Sequence, residues 1–323
     1  MKIFVTRKIP ESGLDLLRKE GYGLDINPYD RVLTENEIVK GVNGKTGLLC
    51  LLTDPIDRDV IYAEPKLKMI ASYAVGYDNI DVKAATERGI PVSNTPGVLT
   101  EATAEMAWAL LFSATRRIVE GDKYTRAGKF KGWDPMLMHG QDVTNKTLGI
   151  IGAGRIGTAV ALKSKGFNMK VLYVSSHANK TLGQELNAKK VDLSRLLKES
   201  DYISLHVPLN KSTHHLVGEK ELKMMKKTAI LINTSRGPVV DEKALTKALK
   251  EKWIFSAGLD VYEHEPKIPK ELIKLDNVVL QPHSASATTS SRSKMAIIAA
   301  KNMITGLNGG IPPNCVNPEV FNL

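Results

Sequence analysis

The run Gly152-Ala153-Gly154-Arg155-Ile156-Gly157 follows the strand-like segment TLGII and opens a helix-like one. Glycines at this spacing serve three purposes. The first permits a tight turn, the second lets backbone approach a pyrophosphate, and the third lets helix and strand pack closely, with the helix N-terminus facing the phosphate charge. The same six residues are compatible with a plain strand-to-helix turn, but the strand, the helix and a second strand, KVLYV, are all in place and favour a dinucleotide cradle. That second strand ends in Tyr173-Val174-Ser175-Ser176-His177, where a carboxylate would accept bonds from ribose hydroxyls and repel an added ribose phosphate. No Asp or Glu follows Gly152 until Glu185. Ser175 and Ser176 can donate to a phosphate and Lys180 adds a positive charge nearby, so the expected cofactor is NADP rather than NAD. The other reading is that the serines only end the strand while NAD binds less tightly, and no arginine is present there to pair with the phosphate.

Three further stretches, NTSRGPVVD, GLDVYEHEP and QPHSASAT, each follow a strand-like run with a residue suited to anion or proton chemistry: Arg236, Glu265 and His283. A planar guanidinium donates two aligned bonds to a carboxylate beside a ketone. An imidazolium donates a proton near neutral pH, and a carboxylate next to it keeps it charged and oriented. Each residue also has an ordinary reading, as a surface-turn arginine, a helix-start carboxylate or a histidine satisfied by backbone. Their joint occurrence at the ends of strands of one parallel sheet, where ligands of open α/β folds bind, favours chemistry. His264 and the pair His214-His215 lack such a setting and are expected to be exposed. No metal is required.

The elements that must position these groups alternate. KIFVT, GLLCLL, MIASYAV and PVSNT read as strands with helix-like segments between them, and TLGIIG, KVLYV, DYISLH, TAILINT, FSAGLD and NVVLQP form a second such series. This pattern implies parallel strands joined by crossover helices. EATAEMAWALLFSATRRIVEGD and TTSSRSKMAIIAAKNMITGLNGG are long enough to pass between two domains, and residues 121–146 read as an extended arm. A chain of 323 residues exceeds the size at which one core usually stops growing. Two domains are therefore expected, a dinucleotide-binding domain over residues 100–288 and a second over residues 1–99 and 289–323.

The net charge of +10 comes from 45 Lys plus Arg against 35 Asp plus Glu, scattered rather than clustered, which suits acidic small ligands better than nucleic acid. The two cysteines, Cys50 and Cys315, have no metal-ligand spacing and argue against a disulfide framework. MKIFVTRKIP begins with a strand and has no long apolar run, so a cytoplasmic protein with no membrane association is expected.

NTSRG, YEHEP and QPHSASAT, together with TAEMAWALL, GIIGAGRIG and SLHVPLNKST, resemble the D-isomer-specific 2-hydroxyacid dehydrogenases over nearly the whole chain. VTRKIP, ASYAVGYDNID and GWDPMLMHG are most similar to the glyoxylate/hydroxypyruvate reductases of that family. The resemblance implies an α/β fold of two doubly wound parallel-sheet domains, a Rossmann dinucleotide-binding domain inserted into a flavodoxin-like substrate domain. It implies hydride transfer from NAD(P)H to a small 2-keto acid, giving glycolate or D-glycerate. Arg236 would bind substrate and Glu265 would pair with His283, the acid. Val75 and Gly76 would offer N–H groups to the substrate carboxylate from the other domain. Thr103 would touch the cofactor, Arg155 and Ile156 would donate to its pyrophosphate, and Val207, Pro208 and Thr213 would flank its adenosine side. Thr234, Ser235, His283 and Ala285 would line the cofactor site, and Asp260 would hold the nicotinamide carboxamide. Ala285 departs from the glycine usual in the family and narrows that space. The arm would embrace a second subunit in a homodimer, with Trp133 reaching the neighbouring site, unless Trp133 packs within its own subunit. A nicotinamide-sensing, corepressor-like binding protein and a dehydrogenase of other substrate preference are the remaining readings.

Overall fold

The computed structural model describes residues 1–322. The chain divides into two compact units, Met1–Leu99 with Ala287–Leu323, and Thr100–Ser286.

The first unit runs β1 (Lys2–Val5), α1 (Glu11–Lys19), β2 (Gly23–Ile26), α2 (Glu35–Val42), β3 (Gly47–Cys50), α3 (Arg58–Tyr62), β4 (Met69–Ser72), α4 (Val82–Glu87) and β5 (Val92–Ser93). The second begins with α5 (Thr100–Thr115) and α6 (Ile118–Arg126). It continues through β6 (Thr147–Ile151), α7 (Arg155–Lys163), β7 (Lys170–Val174), α8 (Lys180–Leu186), β8 (Lys189–Lys190), α9 (Leu193–Glu199) and β9 (Tyr202–Leu205). Then follow α10 (Glu219–Met224), β10 (Ile230–Asn233), α11 (Glu242–Lys250), β11 (Ser256–Leu259), α12 (Lys270–Ile273) and β12 (Val278–Leu280), before α13 (Thr289–Leu307) completes the first unit.

Every strand pair in both sheets is parallel. The first sheet has the order β2-β1-β3-β4-β5 and the second β12-β11-β10-β9-β6-β7-β8. Both are doubly wound, with the strand order reversing beside the first strand of each unit, where ligands of such folds bind. Helices on both faces bury the central strands twice over, which is why they read as continuous apolar runs. In β10, Ile230 and Ile232 join the layer containing Trp108, Leu148 and Val171, while Leu231 joins Leu196, Leu245 and Leu259 on the other face. In the first unit α1 and α13 pack together, and α13 also lies against β3 and β4.

Side-chain caps fix where several helices begin. Thr34 and Glu37 form a reciprocal capping box on α2, and Asp192 and Asp241 accept from backbone N–H groups of α9 and α11. Each such cap is worth about 1 kcal/mol.

The run EATAEMAWALLFSATRRIVEGD divides into two helices, because Arg117 adopts a left-handed conformation (φ 54°) between α5 and α6. One expectation is corrected. The arm is not extended from residue 121, since α6 continues to Arg126. Arg117 pairs with Glu120 across its first turn and Arg126 with Asp122 across its last, local bonds that favour helix in a segment with no buried residue. No regular element then occurs before β6.

Candidate active site

The glycine loop links β6 to α7 beside the strand-order reversal. Gly152 has φ 98°, and a Cβ on it would lie 2.6 Å from the His206 carbonyl oxygen at the end of β9. A Cβ on Gly157 would lie 2.0 Å from the Gly152 oxygen, so the first turn of α7 presses on the loop where only glycine fits. A Cβ on Gly154 meets open space, leaving backbone accessible where Arg155 and Ile156 begin the helix. The sequence gives no warning of the residue that fixes this loop. Asn179 caps α8 through Leu182 N–H, and its Nδ2 donates to the Ala153 carbonyl (3.0 Å) and to Thr158 Oγ1 (2.8 Å).

Ser175 is half-buried just after β7, and Ser176, His177 and Lys180 are exposed. Sheet pairing adds a cation unread in the sequence. Lys190 lies opposite Tyr173, and its Nζ donates to the Ser176 carbonyl at 3.0 Å.

The ends of β10, β11 and β12, neighbours in the sheet, carry the three chemical residues. Beyond β10, Asn233 Oδ1 accepts from the N–H and hydroxyl of Ser235 (3.0 and 2.8 Å), and its Nδ2 donates to the Arg236 carbonyl (2.9 Å). The Arg236 guanidinium donates to the Ser235 carbonyl at 2.9 Å. Gly237 follows, and a Cβ there would fall 1.9 Å from the carbonyl carbon and oxygen of Tyr262. Glycine is what lets the segment beyond β10 lie against the one beyond β11.

Beyond β11, Glu265 Oε1 accepts from the Tyr262 N–H (3.0 Å), and Oε2 lies 2.8 Å from His283 Nδ1. A quarter of each side chain's surface is accessible. Burial pushes the Glu265 carboxyl up, but the bond and charge of His283, the Tyr262 N–H and the positive field of Arg236 outweigh it and hold the group below the usual carboxylate range. His283 is held in a left-handed conformation (φ 52°), an uncommon state for a residue with a side chain, of the kind that clusters at functional sites. Asp260, fully buried, accepts from the N–H groups of Ser284 (2.7 Å) and Ala285 (2.8 Å). Both of its oxygens are thus engaged by the loop carrying His283.

The other expected contacts are more dispersed. Thr103 is buried early in α5. Val207 and Pro208 follow β9, and the Thr213 hydroxyl closes their turn by donating to the Pro208 carbonyl (2.6 Å). Thr234 Oγ1 is buried with no hydrogen-bond partner among the described residues, and Ala285 is buried. Val75 and Gly76 follow β4 in the first unit, where Asn94 Nδ2 donates to the Val75 carbonyl (2.8 Å). Trp133 is 86% exposed. His214 and His264 are exposed, as expected, but His215 is half-buried with its Nε2 2.8 Å from Glu263 Oε1. That partner, 48 residues away, is why the expectation for His215 failed.

An open glycine backbone, an unsatisfied buried hydroxyl and an acid-free end of β7 fit a nicotinamide dinucleotide. Residues 108–285 match the model of the D-isomer specific 2-hydroxyacid dehydrogenase NAD-binding domain, and the chain belongs to that family of oxidoreductases. It is 55% identical over 321 residues to a glyoxylate reductase of Korarchaeum cryptofilum, covering 99% of this chain and 96% of the relative. A solved protein of Thermus thermophilus superposes with a TM-score of 0.92 at 44% identity, over 98% of this chain and 100% of that one. A Sinorhizobium meliloti NADPH-dependent glyoxylate/hydroxypyruvate reductase, solved with NADP and malonate, gives 0.87 at 30% identity, over 99% and 98%.

Proposed function

We propose that the protein reduces small 2-keto acids, glyoxylate to glycolate and hydroxypyruvate to D-glycerate, with NADPH favoured over NADH. The observation that carries this reading is the 2.8 Å pairing of His283 Nδ1 with Glu265, beyond β12 and β11, the two strands next in line to β10, which presents Arg236. The reduced nicotinamide, when bound, supplies a hydride to the keto carbon. With Nδ1 turned to Glu265, His283 offers Nε2 as the donor of a proton to the carbonyl oxygen, a contribution of about 10²–10⁴-fold. The Glu265 carboxylate keeps that imidazole oriented, and Arg236 grips the substrate carboxylate.

The cofactor preference rests on Ser175, Ser176 and Lys180, with Lys190 beside them and no carboxylate at the end of β7. The NADPH dependence of the Sinorhizobium relative agrees with it. A homodimer is favoured by the apolar side chains that the arm leaves exposed, Phe130 at 58%, Trp133 at 86% and Met136 at 75%. A reducing cytoplasm suits the two free cysteines, and among the described residues no helix is long and apolar enough to cross a membrane.

The test is the initial rate of NADPH and of NADH oxidation with each keto acid, for the parent and for His283→Ala. The reading expects faster, tighter use of NADPH and turnover abolished in the variant with cofactor binding retained. Turnover surviving in the variant would overturn the assignment of His283, and no oxidation by the parent would favour the sensing protein.

A further inference from the structure

Outside the groups assigned to the reaction, His214, His215 and Glu263 converge at the surface of the second unit. One ring nitrogen of each histidine and a carboxylate oxygen of Glu263 all lie within 4.8 Å of one another. The two rings stack with centroids 4.0 Å apart at 28°. The backbone that carries them is itself held. His215 is left-handed (φ 50°), its N–H donates to the Pro238 carbonyl (2.8 Å), and the His214 N–H donates to the Asn210 carbonyl (2.9 Å).

The carboxylate is held as firmly. Glu263 Oε1 faces His215 Nε2 at 2.8 Å, its Oε2 accepts from the Glu242 N–H at the start of α11 (3.2 Å), and its own N–H donates to Glu242 Oε2 (3.3 Å). Partners behind a ligand that fix its orientation are what distinguish a metal site from a chance cluster. The scaffold on the third side is bonded as well, because Val217 N–H donates to the Val239 carbonyl (3.1 Å) and Asp241 N–H to the Val217 carbonyl (3.0 Å).

We propose that His214, His215 and Glu263 bind a divalent transition metal of the zinc class. Two imidazoles and one carboxylate are a donor set that suits zinc and its borderline neighbours, and exposed His214 leaves room for water to complete the coordination. Binding turns the rings out of their stack until the three atoms lie at bonding distance of one ion. The ion ties the turn after β9 to the segment after β11, two residues from Glu265. It therefore stabilises the second unit rather than taking part in proton transfer.

The test uses the full-length protein without an affinity tag, stripped of metal by chelator and titrated calorimetrically with Zn²⁺. His214→Ala, Glu263→Gln and, as a control, His264→Ala are titrated alongside. A single site per chain is expected in the parent and the control, weakened by about tenfold or more in the other two. Zn²⁺ should also raise the Tm of the parent and leave that of His214→Ala unmoved, by mass action on the folded state. Co²⁺ in place of Zn²⁺ should give visible absorption bands that His214→Ala lacks. No Zn²⁺ binding by the parent, or binding indifferent to His214→Ala, overturns the proposal. His214 carries the decisive substitution because it is exposed, and circular dichroism should show its Ala variant folded like the parent.

Discussion

Asp260 anchors the loop of His283 through Ala285, whose N–H donates to the buried carboxylate at 2.8 Å while the Ser284 N–H donates at 2.7 Å. Burial pushes the Asp260 carboxyl up, and the two backbone donors pull it partly back. Asp260→Asn keeps one acceptor but turns an amide N–H₂ against a backbone N–H. Losing a hydrogen bond to a charged group costs about 1.5–3 kcal/mol. Thermal unfolding should report a loss of that order. Because Asp260 positions His283, kcat should fall more than KM rises; an unchanged kcat in a stably folded variant would remove Asp260 from the positioning role.

Glu265→Gln removes the carboxylate that pairs with His283 Nδ1 and fixes its ring. kcat should fall by about tenfold or more while KM changes little, because the acid loses its orientation. The Glu265 carboxyl lies below its usual range in the folded protein. Its contribution to stability is therefore present above the ordinary carboxylate range and lost as pH falls through the depressed value. An unchanged kcat in a stably folded variant would count against the pairing as what orients the acid.

His206 adds a second loss of stability on the acid side, beginning at higher pH. The residue is half-buried overall, but its Nδ1 is buried with no hydrogen-bond partner among the described residues, and burial lowers its pKa to about 3. As pH falls below the ordinary histidine range, the unfolded chain takes up a proton that the folded chain refuses until about 3. Stability should decline over that window by up to about 1.4 kcal/mol per pH unit. Denaturant midpoints from pH 7 to pH 4 should fall less steeply for His206→Gln than for the parent. Equal slopes would show that another group sets the acid limit.

Lys190→Ala should raise the KM for NADPH several-fold while leaving that for NADH nearly unchanged, since only the former carries the ribose phosphate. Added salt should narrow the difference. Equal effects on both cofactors would place Lys190 outside phosphate recognition.

The parallel sheets were legible in the sequence because buried strands such as ILIN and YISL are apolar on both faces. Two of the edge strands, β2 and β8, were not. β2 is GLDI with alternate exposure, and β8 is two exposed lysines, so neither carries an apolar signature. The same limit applies at the candidate site. Arg236, Glu265 and His283 announce themselves by residue type at strand ends, whereas Asn179, Lys190 and Asn233 look like ordinary polar residues. Their importance lies in bonds to backbone, which a residue pattern does not encode. Lys190 reaches Ser176 only because two strands pair, and His215 meets Glu263 across two intervening strands.

In the second sheet, β7 lies on one side of β6, while β10, β11 and β12 lie beyond β9 on the other. The stretch that would choose the reductant and the three that would act on the keto acid are therefore physically separate parts of one edge. On the proposed roles, such a layout would make the two selectivities separable traits: exchanging residues 175–180 would redirect the enzyme from one cellular electron pool to another while its acid and its anion grip stayed as they are.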